Sequence, residues 1–549
     1  MRALAVFFVL LASCAAPQST QHDHGGGAAA PVSDLHPGLG NYHHPITTRN
    51  PEAQTYFDQG LTLLYGFNHD EAARYFQRAS ALDADAAMPY WGLALSVGPN
   101  YNDTAVDEAR AKRTYDAVRA AAARASKASA REQDYIGALG KRYPSANPKS
   151  DWKKLHLEYS DAMRELVKKY PDDLDAATMF AESLMMLRPW QLWTADGKPA
   201  PNTLELVAVL ESVLRRNPDH PGANHFYIHA VEASPNLERA IPSAVRLMGL
   251  VPGAGHLVHM PGHIFLQTGD YDLAAQTNEN AADADKSFVR RTGATGVYPL
   301  MYWTHNLHFI AYARAQQGRY QEARRAAEDM THNVGDADLK MQMLEGFHLY
   351  PMMIELRFHR WENILRSPEV SPERKLQQAF RRYARAYAFA SLGRLDEAAA
   401  ERREFETLRK AVPQDSRYMI NNHSSDVLGF AGATLDARLA WSRGEKDRAI
   451  EEWRRAVKLQ ESLQYDEPPP WVYGVRQSLG AALLQSGRAK EAEAVFREAL
   501  AKQPREGRLL FGLWQSLQAQ RRDSEAPLVE QQFRAAWKDA TTELRVEDL

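Results

Sequence analysis

HFYIHAVE, His225 to Glu232, and GHLVHMPGHIFL, Gly255 to Leu266, are the two stretches whose reading decides the fold. His225 and His229 are four residues apart, and so are His259 and His263. Residues at that spacing lie one turn above each other on a single helical face. His225 recurs as His259, and His229 as His263, each 34 residues further on. That interval is the length of one helix–turn–helix repeat, so the same two positions are histidine in consecutive units. HNLHF, His305 to Phe309, adds a third helix. The chain therefore reads as an all-α solenoid of helix hairpins, coiled as a right-handed superhelix, with imidazoles gathered on its inner surface.

The remaining composition agrees with a long repeat array. The chain has 549 residues, 44% hydrophobic and 25% charged, which is ordinary for folded protein. A net charge of −3 shows no large basic excess, so no nucleic-acid partner is expected. Ala, Arg, Glu, Leu and Gln, all strong helix formers, are in surplus.

From Pro51 onward the helical period is continuous. The first unit has Gly60, Ala72, Phe76 and Ala79, small residues where helices approach and a large one where hairpins meet. Turns are expected at Gly269, Gly318, Gly393, Gly444 and Gly487. Around Lys127 to Asp151 the register drifts, with Pro144 and Pro148 marking a loop. Arg188 to Thr203, with Trp190 and Trp193 among prolines, is an insertion that forms either a wall over the inner surface or a packed plug. Residues 51–365 are read as the solenoid carrying the histidine site and 366–549 as further repeats, the polar tail beyond Pro504 being a solvated cap.

These features resemble the tetratricopeptide-repeat family over nearly the whole chain. Phe67 to Ala72, Gly98 to Asn102, His220 to Glu232, Gly255 to Ile264 and His305 to Phe309 are similar to strings in a large group of secreted bacterial proteins of that family. The resemblance implies a fold and no particular reaction. At the N-terminus, Arg2 precedes an apolar run from Ala3 to Ala12, too short to span a bilayer. Leu11-Ala12-Ser13-Cys14 resembles a bacterial lipobox, which implies cleavage after residue 13, lipidation of Cys14 and a place in the cell envelope. A plain secretory peptide is the alternative. Cys14 is the only cysteine, so neither an internal disulfide nor thiolate ligation is expected. Residues 14–50, rich in Gly, Ala, Pro and His, are expected to be a flexible linker.

In this family, positions 2, 5, 9 and 12 of each first helix face the concave groove. Counting from the turn glycines puts His256, His259 and His263 there, with His305, His308 and Tyr312 one unit later. His225, His229 and Glu232 fall there one unit earlier, and Asp175, Thr178 and Glu182 before them. Imidazole is the commonest protein ligand for zinc, copper and iron. The expected metal ligands are thus His225, His229, His256, His259, His263, His305 and His308. Seven could hold one ion with supporting groups, or two ions, and the latter would look like a coupled dicopper site by analogy only. Glu182, Glu232 and Tyr312 are the candidates for proton transfer or ring orientation. The expected function is a metal-holding envelope solenoid, with redox or hydrolytic chemistry as the activities open to it. The alternative is a scaffold that binds a peptide or partner protein in the groove. HExxH is absent, because Phe226 stands where its glutamate would be. No nucleophile elbow, phosphate loop or dinucleotide fingerprint is present. Met185, Met186 and Met260 read as core filling.

Overall fold

Phe76 explains how the hairpins stack. In the computed structural model, a Cβ added at Gly60 would come within 3.0 Å of its ring, and one at Gly92 within 2.5 Å. The ring is thus clamped between the first helices of two consecutive hairpins, and only glycine leaves it room. Phe496 repeats the arrangement near the other end, between Gly480 and Gly512, where a Cβ would meet its ring at 2.4 and 2.3 Å. The structure describes residues 34–336 and 338–549. The expected signal segment, Cys14 and the first part of the expected linker lie outside them.

Among the described residues the fold is a succession of antiparallel helix pairs, beginning Pro51–Tyr65 with His69–Leu82 and Met88–Val97 with Glu108–Ala122. The only paired strands there are the two-residue segments Arg417–Tyr418 and Asn422–His423. All five expected turn glycines have φ between 74° and 81°, a left-handed conformation that closes each hairpin and that other residues adopt at a cost. No described helix is long and apolar enough to cross a membrane.

Three expectations need correction. The Lys127–Asp151 stretch contains the helix Ala130–Arg142, opened by a capping box between Ser129 and Glu132, while the loop marked by Pro144 and Pro148 lies between Arg142 and Trp152 as expected. The linker reading fails from Asp34 to Asn50. His36, Leu39 and His44 are buried, Thr47 bonds Glu132, and Thr48 bonds Asp83. Across residue 365 the stacking is continuous, with Trp361–Leu365 packed on Lys375–Ser391. The buried Arg357 reaches Gln316 on one side and Glu506 on the other, each within 3.0 Å. The tail is not merely a solvated cap. Trp537 lies against Gly318 and Gly507, and the amide of Thr541 donates to the Gly318 carbonyl. The later repeats therefore fold back onto the earlier ones.

Candidate metal centre

Three neighbouring hairpins deliver the histidines. Pro221–Val231 carries His225 and His229, Gly255–His259 carries His256 and His259, Pro261–Thr268 carries His263, and Thr304–Gln316 carries His305 and His308. Pro261 separates the second and third helices by removing an amide donor. Six of the seven form two triads, His225, His229 and His256, and His259, His263 and His305. Within each, the potential ligand atoms lie within 4.8 Å of one another. Each triad is an i, i+4 pair plus one ring from the first helix of the next hairpin.

Hydrogen bonding fixes which nitrogen four of these rings present. His225 Nδ1 donates to the Tyr65 carbonyl at 2.5 Å, and His259 Nδ1 to Asn278 Oδ1 at 2.6 Å. His229 and His263 Nδ1 donate to the two oxygens of Glu232, at 2.9 and 2.6 Å. These oxygens only accept, so each Nδ1 carries the proton and each Nε2 is left with a bare lone pair. The Nε2 atoms of His259 and His263 then face each other at 2.7 Å. Two lone pairs at that distance repel unless a cation lies between them. His229 Nε2 and His256 Nδ1 are buried and have no hydrogen-bond partner. A donor set of neutral imidazoles, four of the six oriented by an oxygen at the far nitrogen, suits zinc, copper or iron.

A proton is a poor candidate for that cation. Burial holds His225, His256, His259 and His305 well below the ordinary histidine range, and neighbouring imidazoles push the same way. Burial also lowers His263, although Glu232 opposes it. Glu232 itself is held below the usual carboxylate range, because His229 and His263 outweigh its burial. Glu467, on a loop of the C-terminal repeats, meets His263 Nδ1 and accepts from Gln267 Nε2 at 2.7 Å. Burial, followed by the charge on Glu232, raises Glu467 well above its ordinary value. Glu232 thus carries the charge of the pair and Glu467 the proton.

The triads open into a cavity of about 260 Å³. Phe67, Trp190, Tyr302 and Phe347 form part of its wall, and Asp70, Asp107 and Arg113 also line it. The Trp190 ring packs 5.7 Å from His229, and Trp193 Nε1 donates to the Ala230 carbonyl, so the inserted loop is a wall. His308 lines the same cavity but joins neither triad. It packs edge-on against Tyr350 and Phe347, and burial lowers it to about 3. Glu182 lies apart from the histidines, paired with the buried Arg142 at 3.4 Å. Tyr312 also lies apart, with Gln503 near its hydroxyl in a second cavity. Of the three proton-transfer candidates, only Glu232 touches the imidazoles. Met185, Met186 and Met260 are fully buried.

Three partners escaped the sequence reading: Tyr65, Asn278 and Glu467. Two glycines were a usable signal for the first two. A Cβ at Gly222 would lie 2.3 Å from the Tyr65 ring, and one at Gly262 would lie 2.3 Å from Asn278 Nδ2. Groove position Asp175 is taken up differently from expectation. It accepts from Tyr42, Tyr65 and His44 at 2.5 to 2.8 Å, so the 34–50 segment occupies that part of the groove. The Asp175 charge raises His44 against the effect of burial.

No family model and no curated protein matches the chain. Solved structures similar to it include a tetratricopeptide repeat protein from Parabacteroides merdae, 12% identical with a TM-score of 0.32, covering 64% of this chain and 99% of that one. The Cut9–Hcn1 hetero-tetramer of APC/C is 14% identical with a TM-score of 0.31, covering 86% of this chain and 78% of that one. Yeast Tom70 is 11% identical with a TM-score of 0.27, covering 88% and 90%.

Proposed function

We propose that this helical-repeat protein holds a two-ion transition-metal centre, one ion on each histidine triad, inside its folded-back solenoid. The observation that carries this reading is the pair of bare Nε2 atoms of His259 and His263, facing each other where protonation is disfavoured. Tyr65, Asn278 and Glu232 orient the rings, and Glu232 couples the triads by accepting from one histidine of each. Glu467 holds a proton beside them, and the aromatic wall limits water. Bound copper or iron would supply electron transfer, and bound zinc an activated water. Lipidation of Cys14 would anchor the protein in the cell envelope.

Elemental analysis of untagged protein tests the centre. The expected result is two equivalents of copper, zinc or iron per chain, falling to one or fewer in His229→Ala/His263→Ala. Metal-free protein that captures a peptide or partner protein would return the chain to the scaffold reading.

A further inference from the structure

Four methionines remain after the triads are assigned. Met301, Met341, Met343 and Met419 all line the cavity onto which His229, His256, His263 and His305 open. The chain has only 15 methionines, so this wall is strongly enriched in them. Unlike Met185 and Met260, which fill the core, Met301, Met341 and Met343 are only half-buried. Met419 is placed by the turn between the two short strands, with a φ of 52° that non-glycine residues seldom adopt. Its sulfur lies over Gly346, where any Cβ would approach it to 3.0 Å. The backbone thus leaves space for that sulfur at a position where a larger residue would displace it.

A thioether is neutral and soft. It favours Cu(I) and gives little to zinc or other hard divalent ions. An apolar wall also penalises a single positive charge less than a double one. We propose that the four methionines form a soft-metal site that takes up Cu(I) at the cavity wall and passes it to the histidine triads. The second half of this proposal rests on the reading of the triads as metal ligands. Transfer is a ligand exchange in which each Cu–S bond broken is replaced by a Cu–N bond. Copper stays in the +1 state throughout. No proton is released at His225, His229, His259 or His263, because each Nε2 is already bare.

The test uses the full chain, metal-free, loaded with Cu(I) from a colorimetric chelator, with Ag(I) as a redox-inert probe and Zn(II) as the hard control. Leucine conserves methionine's volume, so Met301→Leu/Met341→Leu/Met343→Leu/Met419→Leu should fold, and circular dichroism checks this. The expected result is a Cu(I) loading rate slowed by about tenfold or more, with unchanged final stoichiometry and unchanged Zn(II) loading. The two double variants, Met301→Leu/Met343→Leu and Met341→Leu/Met419→Leu, should each show part of the effect and serve alone if the quadruple variant does not fold. X-ray absorption on His229→Ala/His263→Ala should still show Ag(I) bound to sulfur. Wild-type loading rates in the leucine variants, or no sulfur-bound Ag(I), would overturn the proposal and leave these methionines as packing around a small apolar ligand. Sulfur-bound Ag(I) in a wild-type chain that never fills its triads would instead overturn the two-ion centre and the transfer step, and leave the soft-metal site standing.

Discussion

Replacing Glu232 by glutamine should separate the two triads. The carboxylate accepts from His229 Nδ1 at 2.9 Å and from His263 Nδ1 at 2.6 Å, and it is almost wholly buried. Glutamine keeps one acceptor oxygen and turns an NH2 towards the other ring. Two N–H groups cannot face each other, so that histidine must move its proton to Nε2 and ceases to be a ligand. Loss of an orienting partner costs about 10- to 100-fold in metal affinity, or about 1.4–2.7 kcal/mol. The remaining ring exchanges a hydrogen bond to a charged acceptor for one to a neutral acceptor, a loss of about 1 kcal/mol. Competition against a chromophoric chelator should therefore resolve two classes of site in Glu232→Gln, one nearly intact and one weakened. Glu232→Ala removes both acceptors and should weaken both. Wild-type affinity for two ions in Glu232→Gln would refute the tautomer argument and the two-ion centre built on it.

Asn278→Ala touches only His259, so it should lower affinity by about 10- to 100-fold at one triad and spare the other, as read by the same titration. Gly262→Ala would force a methyl to within 2.3 Å of Asn278 Nδ2, and should destabilise the chain by about 1–3 kcal/mol besides weakening that triad. Metal-free protein should lose stability on acidification below about pH 6.5, because the unfolded chain takes up protons that the buried rings refuse. His308 and His156, lowered to about 3, and His36, lowered to about 4, each contribute a slope in that direction. Burial is the main cause for each. His44 acts oppositely, since its raised value gives stability below the unfolded pKa that is lost as pH rises through the folded one. A melting temperature that does not change between pH 7.5 and 5 would contradict this balance. Arg357→Ala strands Glu506 in the core and should cost about 3–5 kcal/mol, seen as early melting or proteolysis of the C-terminal repeats.

The helical class, the repeat length and six of the seven clustered histidines were legible because each rests on spacing within one helix or between adjacent units. Gly60 and Phe76 announced the close approach they make. What failed needed long-range geometry. Glu182 and Tyr312 hold the expected groove register, yet Arg142 and Gln503 claim them, and nothing local predicts either partner. Glu467 lies about 200 residues beyond the imidazoles it meets. The segment before Pro51 has the composition of a linker, but Tyr42 and His44 find a buried carboxylate across 130 residues. His308 shows the limit of counting positions, since a shift of one helical turn gives its place to His305.

The distance in sequence between Glu467 and His263 also sets an order of assembly. A chain emerging from the ribosome or a translocation pore presents its imidazoles long before the loop that opposes them, and before the Arg357–Glu506 clasp can draw the ends together. Early in synthesis the rings line an open trough; they become an enclosed chamber only when the final third of the polypeptide docks. Enclosure of the histidine cluster is therefore a late event, tied to completion of the whole chain and not to folding of the segment that carries the rings.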